Sequence, residues 1–165
     1  MIVFAAVVES TLRRQENSVF LYDSERLTRI SENWFQESYW RTEDKVVGEA
    51  SGRGSVVFVR HEDHNWVLRH YHRGGFVGRF IRDRYLWRGI EQTRAFREWR
   101  LLSELSERNL PVPVPIAARV RRFGVSYTAD LITGYLSNTR SFESILDDGD
   151  ACLEQWEIIG RTLRR

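Results

Sequence analysis

The residues between 45 and 70 constrain the fold of this chain most. Three segments with the composition of strands follow one another there, and the connections between them are very short. The segments are Lys45–Ala50, Ser55–Arg60 and Asn65–His70. Gly52-Arg53-Gly54 separates the first two, and a polar turn that begins at Glu62 separates the second and third. Because such short connections join strands that run in opposite directions, the pattern predicts an antiparallel meander.

The rest of the chain predicts further strands and two helices. Helical periodicity over Glu91–Arg108 places Ala95, Trp99, Leu102 and Ser106 on one stripe, and Asn109 is a plausible stop. A hairpin is predicted around Phe123-Gly124, and a short strand at Val19–Tyr22. The hairpin strands are Ile116–Arg122 and Val125–Ile132. The last helix runs from about Ala151, with Cys152, Trp156, Ile159 and Leu163 as its apolar stripe.

Arginine supplies almost all of the positive charge. Of 25 basic residues 24 are arginine, and the single lysine is Lys45. Ten arginines against five acids lie between Arg60 and Arg100, which indicates an anionic partner such as a phosphate group, a nucleic acid or a membrane surface. The single cysteine excludes an internal disulfide framework and favours a reducing compartment. The apolar run at residues 1–8 is too short to span a bilayer and lacks the charged start of a signal peptide.

The order of the elements suggests phosphate chemistry. Glycines at 52 and 54 would let the backbone approach a phosphate group, and Arg69 on the third strand would reach that phosphate. Glu98 borders the apolar side of the following helix, beside Leu101, Leu102 and Leu105, so it needs a partner, which Arg69 would supply. Each feature has a simpler alternative. These are an ordinary hairpin turn, an exposed strand arginine, and a surface glutamate paired with a neighbouring arginine of its own helix.

Two other kinds of site are disfavoured by the sequence. A zinc site is conceivable because four histidines, His61, His64, His70 and His72, lie within twelve residues. Neither CxxC nor HExxH is present, however, and solvated histidines are the better interpretation. A nucleophilic role for Cys152 is weaker still, because this residue lies on the apolar stripe of its helix.

The stretch Gly75–Gly89 mixes aromatic and basic residues. As a helix it would group Phe76, Val77, Phe80 and Ile81 on one side, which suits contact with a membrane surface. The predicted lipid contacts are Arg73, Phe76, Arg79, Phe80, Arg82, Arg84, Trp87 and Arg88. One alternative is an insertion packed on the rest of the domain. Another is RNA binding by the same arginines, although no nucleic-acid-binding motif supports it.

Several strings of residues resemble one family closely. They are Gly52-Arg53-Gly54-Ser55, the stretch Val67–Gly75 (VLRHYHRGG), Arg82–Trp87 (RDRYLW), Thr93–Glu98 (TRAFRE), Leu110–Pro115 (LPVPVP) and Tyr127–Ile132 (YTADLI). Together they resemble the lipopolysaccharide kinases, and within these the kinases of 3-deoxy-D-manno-octulosonic acid (Kdo). The resemblance runs from about residue 18 to the end. It implies ATP-dependent phosphorylation of the 4-hydroxyl of Kdo on a lipid A precursor.

The resemblance also implies an architecture. The expected α+β fold is a protein-kinase-like N-lobe over residues 18–130, with a five-stranded antiparallel sheet and one helix. Residues 1–17 would be an N-terminal extension, and residues 131–165 a hinge and the incomplete start of a helical C-lobe. The implied nucleotide contacts are Gly52, Arg53, Gly54, Ser55, Arg69, Glu98, Leu131, Ile132 and Thr133.

The remaining expectations concern activity and location. The family's catalytic loop and Mg²⁺ ligands would follow Arg165, so no catalytic residue or metal ligand is expected within this chain, and the chain alone is expected to be inactive. The cofactors would be ATP and Mg²⁺. The expected partners are a Kdo-lipid A precursor and the anionic cytoplasmic face of the Gram-negative inner membrane, with peripheral attachment. Neither a nucleic acid nor an obligate protein partner is expected. A non-catalytic, arginine-rich module that binds anionic lipid remains the alternative.

Overall fold

A computed structural model describes residues 8–51, 55–72, 84–137, 139, 145 and 153–164. Its centre is an eight-stranded sheet in which all paired strands are antiparallel. The strand order is β1-β2-β7-β8-β5-β4-β3, and β6 pairs with the end of β8. The strands are β1 (Ser10–Gln15), β2 (Ser18–Asp23), β3 (Val46–Ser51), β4 (Ser55–His61), β5 (His64–His70), β6 (Tyr85–Leu86), β7 (Pro115–Phe123) and β8 (Ser126–Gly134). The predicted meander is β3-β4-β5, and the predicted hairpin is β7-β8.

The prediction of five strands is wrong, because the described residues form eight. Strand β1 lies in the region predicted to be an extension, yet all six of its residues pair with β2. Its sequence, Ser-Thr-Leu-Arg-Arg-Gln, is polar and largely exposed, so it shows little of the alternation that marks a half-buried strand. Strand β6 has two residues and is too short to leave any pattern.

The α-helices whose bounds lie within the described residues are α1 (Glu37–Thr42), α2 (Arg94–Glu107) and α3 (Leu153–Leu163). Short 3₁₀ turns at Glu32–Phe35 and Ile90–Gln92 precede α1 and α2. Helix α2 buries Ala95, Phe96, Trp99 and Ser103. The predicted stripe is confirmed at Ala95, Trp99 and the half-buried Leu102, which packs against the second core; Phe96 and Ser103 are buried as well, outside the predicted stripe.

The two faces of the sheet carry separate hydrophobic cores. Neighbouring residues of a strand alternate between them: Ala117 and Ile132 belong to one core, and Ala118 and Leu131 to the other. The first core lies under the segment from Leu27 to Trp40, and the second lies under α2. Because both faces are covered, alternate residues of β5 and β8 are held in two different environments.

The chain divides into two compact units, residues 1–135 and residues 136–165. Strand β8 continues through residue 134, past the predicted boundary at residue 130. The described part of the second unit is mainly α3, in which Trp156 is exposed and Ile159 is half-buried. Among the described residues, no helix combines the length and apolar character needed to cross a membrane.

Candidate functional site

An ion pair joins strand β5 to helix α2. Arg69 donates from a terminal guanidinium nitrogen to Glu98 Oε1 at 2.5 Å, and each side chain is about one-third exposed, at 33% and 32%. The sequence predicted this pair, and the structure confirms it. The sequence placed Glu98 at the border of an apolar side that includes Leu101, but Leu101 is 52% exposed. Glu98 adjoins Trp99 of the second core along α2, and its side chain is about two-thirds buried.

Tyr71 completes the pair, and sequence reasoning missed it. Its hydroxyl donates to Glu98 Oε2, while its backbone N–H donates to the Ala129 carbonyl at 3.0 Å. Tyr71 follows Arg69 by two residues, the spacing that puts two side chains of an extended chain on one face. Burial, followed by the hydrogen bond to Glu98, raises the pKa of the Tyr71 hydroxyl well above its usual range. The hydroxyl therefore remains a donor, and both oxygens of Glu98 are occupied.

Replacing Tyr71 with phenylalanine is expected to lower the free energy of unfolding by about 1 kcal/mol, because a hydrogen bond to a partly buried carboxylate is lost. Chemical denaturation with urea measures this change. The matched control is Tyr135→Phe, since Tyr135 is exposed and its change is expected to stay within about 0.5 kcal/mol. Equal effects of the two substitutions would contradict a specific role for the Tyr71 hydroxyl.

The pair borders an open groove of about 610 Å³. Its lining residues are Tyr71, Arg94, Arg97, Glu98, Leu101 and Leu102. Arg69 keeps donors that Glu98 does not use, and its buried Nε–H has no acceptor within the described residues. That Nε atom is itself closed to solvent, whereas the side chain as a whole is one-third exposed, so an anionic ligand would meet the terminal guanidinium nitrogens. The arrangement can therefore bind an anionic oxygen at Arg69 while Glu98 and Tyr71 hold the guanidinium in place.

The other predicted nucleotide contacts lie in several places. Gly52, Arg53 and Gly54 fall outside the described residues, and Ser55 begins β4. The stretch 131–133 lies inside β8 with β5 on one side and β7 on the other, so it is strand rather than hinge. Leu131 belongs to the core beneath α2, whereas Ile132 belongs to the opposite core. The structure therefore does not bring the Ile132 side chain together with Arg69.

A second charged network lies on the other face of β5. Asp130 is 1% exposed and accepts from Arg119 Nε at 2.9 Å, while its other oxygen lies 2.6 Å from His70 Nδ1. Arg119 also lies over the Phe35 ring at 5.1 Å. Asp130 is paired with Arg119 on β7 and with His70 on β5. Sequence reasoning missed the network, because the signal is a cross-strand register that one sequence does not display.

The histidines do not form a metal centre in the part of the chain that the structure describes, where no cluster of three or more potential ligands is present. His61 stacks on Trp66 with ring centroids 4.0 Å apart, and burial lowers its pKa. His70 and His72 lie close together, with ring centroids 4.8 Å apart. Cys152 lies outside the described residues.

The predicted lipid-contact segment is only partly described, since Arg73, Phe76, Arg79, Phe80 and Arg82 fall outside the described residues. The prediction of a helix over 75–89 is wrong for its described part, because residues 85–86 form β6 and residues 87–89 are not helical. Trp87 donates from its backbone N–H to the Val125 carbonyl at 2.9 Å, which extends the pairing beyond β6. Arg84 and Arg88 are exposed, and Trp87 is half-buried.

Comparison with known proteins gives a consistent result. The model of the lipopolysaccharide kinase (Kdo/WaaP) family matches residues 37–165. The 3-deoxy-D-manno-octulosonic acid kinase of Haemophilus influenzae (strain PittEE) is 38% identical over 157 residues, which cover 92% of this chain and 65% of that protein. The enzyme of the same name from Vibrio cholerae is 40% identical over 127 residues, which cover 77% of this chain and 54% of that protein. No solved structure gives a significant match.

Proposed function

This chain belongs to the lipopolysaccharide kinase (Kdo/WaaP) family, and from that premise we propose that it forms the phosphate-binding part of an ATP-dependent Kdo kinase. The acceptor is the 4-hydroxyl of Kdo on a lipid A precursor. The chain spans 65% of the length of the Haemophilus relative, so the activity of the whole enzyme is part of the proposal. The names of the relatives and the matching strings of residues in the sequence support Kdo as the acceptor.

One observation carries the proposal: an arginine on the third strand of the meander meets a glutamate on the following helix. Protein kinases use a cation on that strand to bind the α and β phosphates, and a carboxylate on that helix to hold the cation. Here the cation is Arg69, whose planar guanidinium can hold Glu98 and a phosphate oxygen on different N–H groups. Tyr71 adds a second hydrogen bond to Glu98 and so restricts the pair to one geometry.

The donors at Arg69 fit a phosphate group, since Glu98 accepts from one terminal nitrogen and the side chain is one-third exposed, which leaves further N–H groups for phosphate oxygens. When ATP is bound, it supplies the phosphoryl group that is transferred. Arg69 would hold and neutralise the non-transferred phosphates, and Gly52 and Gly54 would let the backbone approach them. Mg²⁺ would accompany ATP, but the described residues contain no cluster of acids or histidines that could hold it.

The proposed acceptor also sets the proposed location. A lipid A precursor keeps its acyl chains in a bilayer, so its kinase must reach the sugar from the membrane surface. We place the enzyme at the cytoplasmic face of the Gram-negative inner membrane, attached peripherally. The arginine-rich stretch from 60 to 100 supports attraction to anionic lipid.

The alternative function is a non-catalytic module that binds anionic lipid. Such a module needs exposed arginines, but it does not need one arginine fixed by a glutamate and a tyrosine against a helix. The Arg69–Glu98–Tyr71 arrangement therefore favours the kinase. An RNA-binding role would predict steep loss of RNA affinity with added salt and no binding of nucleotide.

Two measurements test the proposal. Titration of the full chain with a fluorescent ATP analogue is expected to show saturable binding, and Arg69→Ala is expected to weaken it about tenfold or more. Arg60→Ala is the matched control, because Arg60 is an exposed arginine on the neighbouring strand. In the intact enzyme, the γ-phosphate of ATP is expected to reach a Kdo-bearing lipid A precursor and not the same lipid without Kdo. Failure of transfer to the Kdo-bearing lipid would overturn the proposed function.

A further inference from the structure

Exposed apolar side chains gather at one end of the sheet. They lie on β6 and on the turn between β7 and β8, and this group is called the tip surface here. Leu86 is 60% exposed, Phe123 38% and Val125 77%. Backbone pairing fixes the group, because Leu86 is paired with Ser126 and the Trp87 N–H donates to the Val125 carbonyl. Gly124 has a φ of +59°, so the turn that presents Phe123 and Val125 adopts a conformation that glycine favours.

Arginines surround these apolar side chains. The Arg84 guanidinium lies over the Phe123 ring at 4.9 Å, and the Arg122 guanidinium lies over the Trp87 ring at 4.8 Å. Arg88 is also exposed. The segments 84–90 and 120–129 contain no acidic residue, and the adjoining β1–β2 turn adds one, Glu16. The tip surface is therefore apolar at its centre and positively charged around it.

We infer that the tip surface docks on an anionic lipid bilayer. Leu86, Phe123 and Val125 enter the interface between head groups and acyl chains, Trp87 lies at the level of the head groups, and Arg84 and Arg122 bind lipid phosphates. The inference rests on the proposed function, because a lipid-linked acceptor requires the enzyme at a membrane. It assigns that contact to β6 and the β7–β8 turn, and not to the helix that the sequence predicted.

The chemistry of the surface favours a bilayer over a protein partner. The apolar part of the tip surface consists of three exposed side chains on two short segments, and a stable protein interface needs a larger, complementary area. Each arginine is stacked on an aromatic ring; Arg122 donates its Nε–H to the Gly124 carbonyl at 2.9 Å, which leaves its terminal N–H groups for phosphate oxygens. A basic rim around apolar side chains matches the interface of an anionic leaflet, where charge and apolar insertion act together.

Co-sedimentation of the full chain with phosphatidylcholine vesicles, with and without phosphatidylglycerol, tests the inference. Binding is expected only when phosphatidylglycerol is present, and added salt is expected to weaken it. Since each basic residue near an anionic surface contributes about 1 kcal/mol, the double substitution Arg84→Gln and Arg122→Gln is expected to weaken partitioning about thirtyfold. A second variant, Leu86→Ser with Val125→Ser, changes exposed side chains and is expected to lose binding with all charges retained.

Charge-matched and apolar controls make the result decisive. Arg29→Gln with Arg60→Gln removes the same charge from exposed positions elsewhere, and Val47→Ser removes an exposed apolar group from β3. Both controls are expected to bind vesicles like the parent. The inference would be overturned if the parent did not bind the vesicles, or if the control variants lost as much vesicle binding as the tip variants. It would also be overturned if both tip variants bound vesicles like the parent. A dimer in sedimentation velocity that Leu86→Ser with Val125→Ser dissolves would overturn it as well, because the surface would then bind a second copy. The ATP-analogue titration of each variant is expected to match the parent, which separates failure of docking from failure of the proposed function.

Discussion

Replacing Glu98 with glutamine is expected to lower kcat/KM of the intact enzyme about a hundredfold, the loss typical when one preorganised charge or donor is removed from a site of this kind. Glutamine has the same shape, but Arg69 and Tyr71 donate to different oxygens of Glu98, and the single carbonyl oxygen of glutamine can accept at only one of these two positions. It lacks the charge that holds the guanidinium, so Arg69 would no longer be fixed toward phosphate. Steady-state kinetics of phosphoryl transfer to the Kdo-bearing lipid measures the effect.

The matched control for this prediction lies on the same helix. Glu104 pairs with Arg108 at 2.5 Å on the exposed side of α2, and Glu104→Gln removes the same charge far from Arg69. Its kcat/KM is expected to stay near the parental value, because exposed pairs one helical turn apart contribute little. The fold of both variants is checked by urea denaturation. Parental activity in a folded Glu98→Gln variant would show that the ion pair has no part in phosphoryl transfer.

The ion pair was predictable from the sequence because it depends on the order of elements and on one position in each. Arg69 lies next to the last residue of the third strand of a short meander, and Glu98 lies in a strongly periodic helix. The exact face of α2 was less predictable. The predicted stripe was Ala95, Trp99, Leu102 and Ser106, whereas α2 also buries Phe96 and Ser103. Glu98 adjoins Trp99, which belongs to both sets, so the pair does not depend on this difference.

Features that depend on register were not predictable. The hydroxyl of Tyr71 meets Glu98 only because β5 and α2 are packed at one distance. Asp130 meets Arg119 and His70 only because three strands align those positions. Strand β1 is held by backbone pairing with β2, and backbone hydrogen bonds produce no side-chain pattern that would predict a strand from its polar sequence. In each case the determining interaction joins segments that lie far apart along the chain.

The buried network on the other face gives the largest expected loss of stability. Replacing Asp130 with asparagine is expected to lower the free energy of unfolding by about 3 to 5 kcal/mol, the range observed when one partner of a buried ion pair is removed. Arg119 is 7% exposed and its other hydrogen bonds, to the Glu32 and Phe35 carbonyls, are long at 3.5 and 3.4 Å. The remaining acid is Glu32, whose carboxylate lies 3.6 Å from Arg119 Nη1 and is shared with Arg121, so the guanidinium charge would stay buried with weaker compensation. Urea denaturation, followed by tryptophan fluorescence, measures the change.

A matched comparison separates burial of charge from loss of a hydrogen bond. Arg119→Met together with Asp130→Asn removes the stranded charge while keeping a side chain of similar length, so the double variant is expected to be more stable than Asp130→Asn alone. Glu91→Gln serves as the surface control, because Glu91 pairs with Arg100 at 2.6 Å while both side chains are about half exposed. Its effect is expected to stay below about 1 kcal/mol. If Asp130→Asn lowered the free energy of unfolding no more than Glu91→Gln, the Asp130–Arg119 pair would not stabilise the contact between the segment around Phe35 and the sheet. Apolar packing alone would then align β7 and β8.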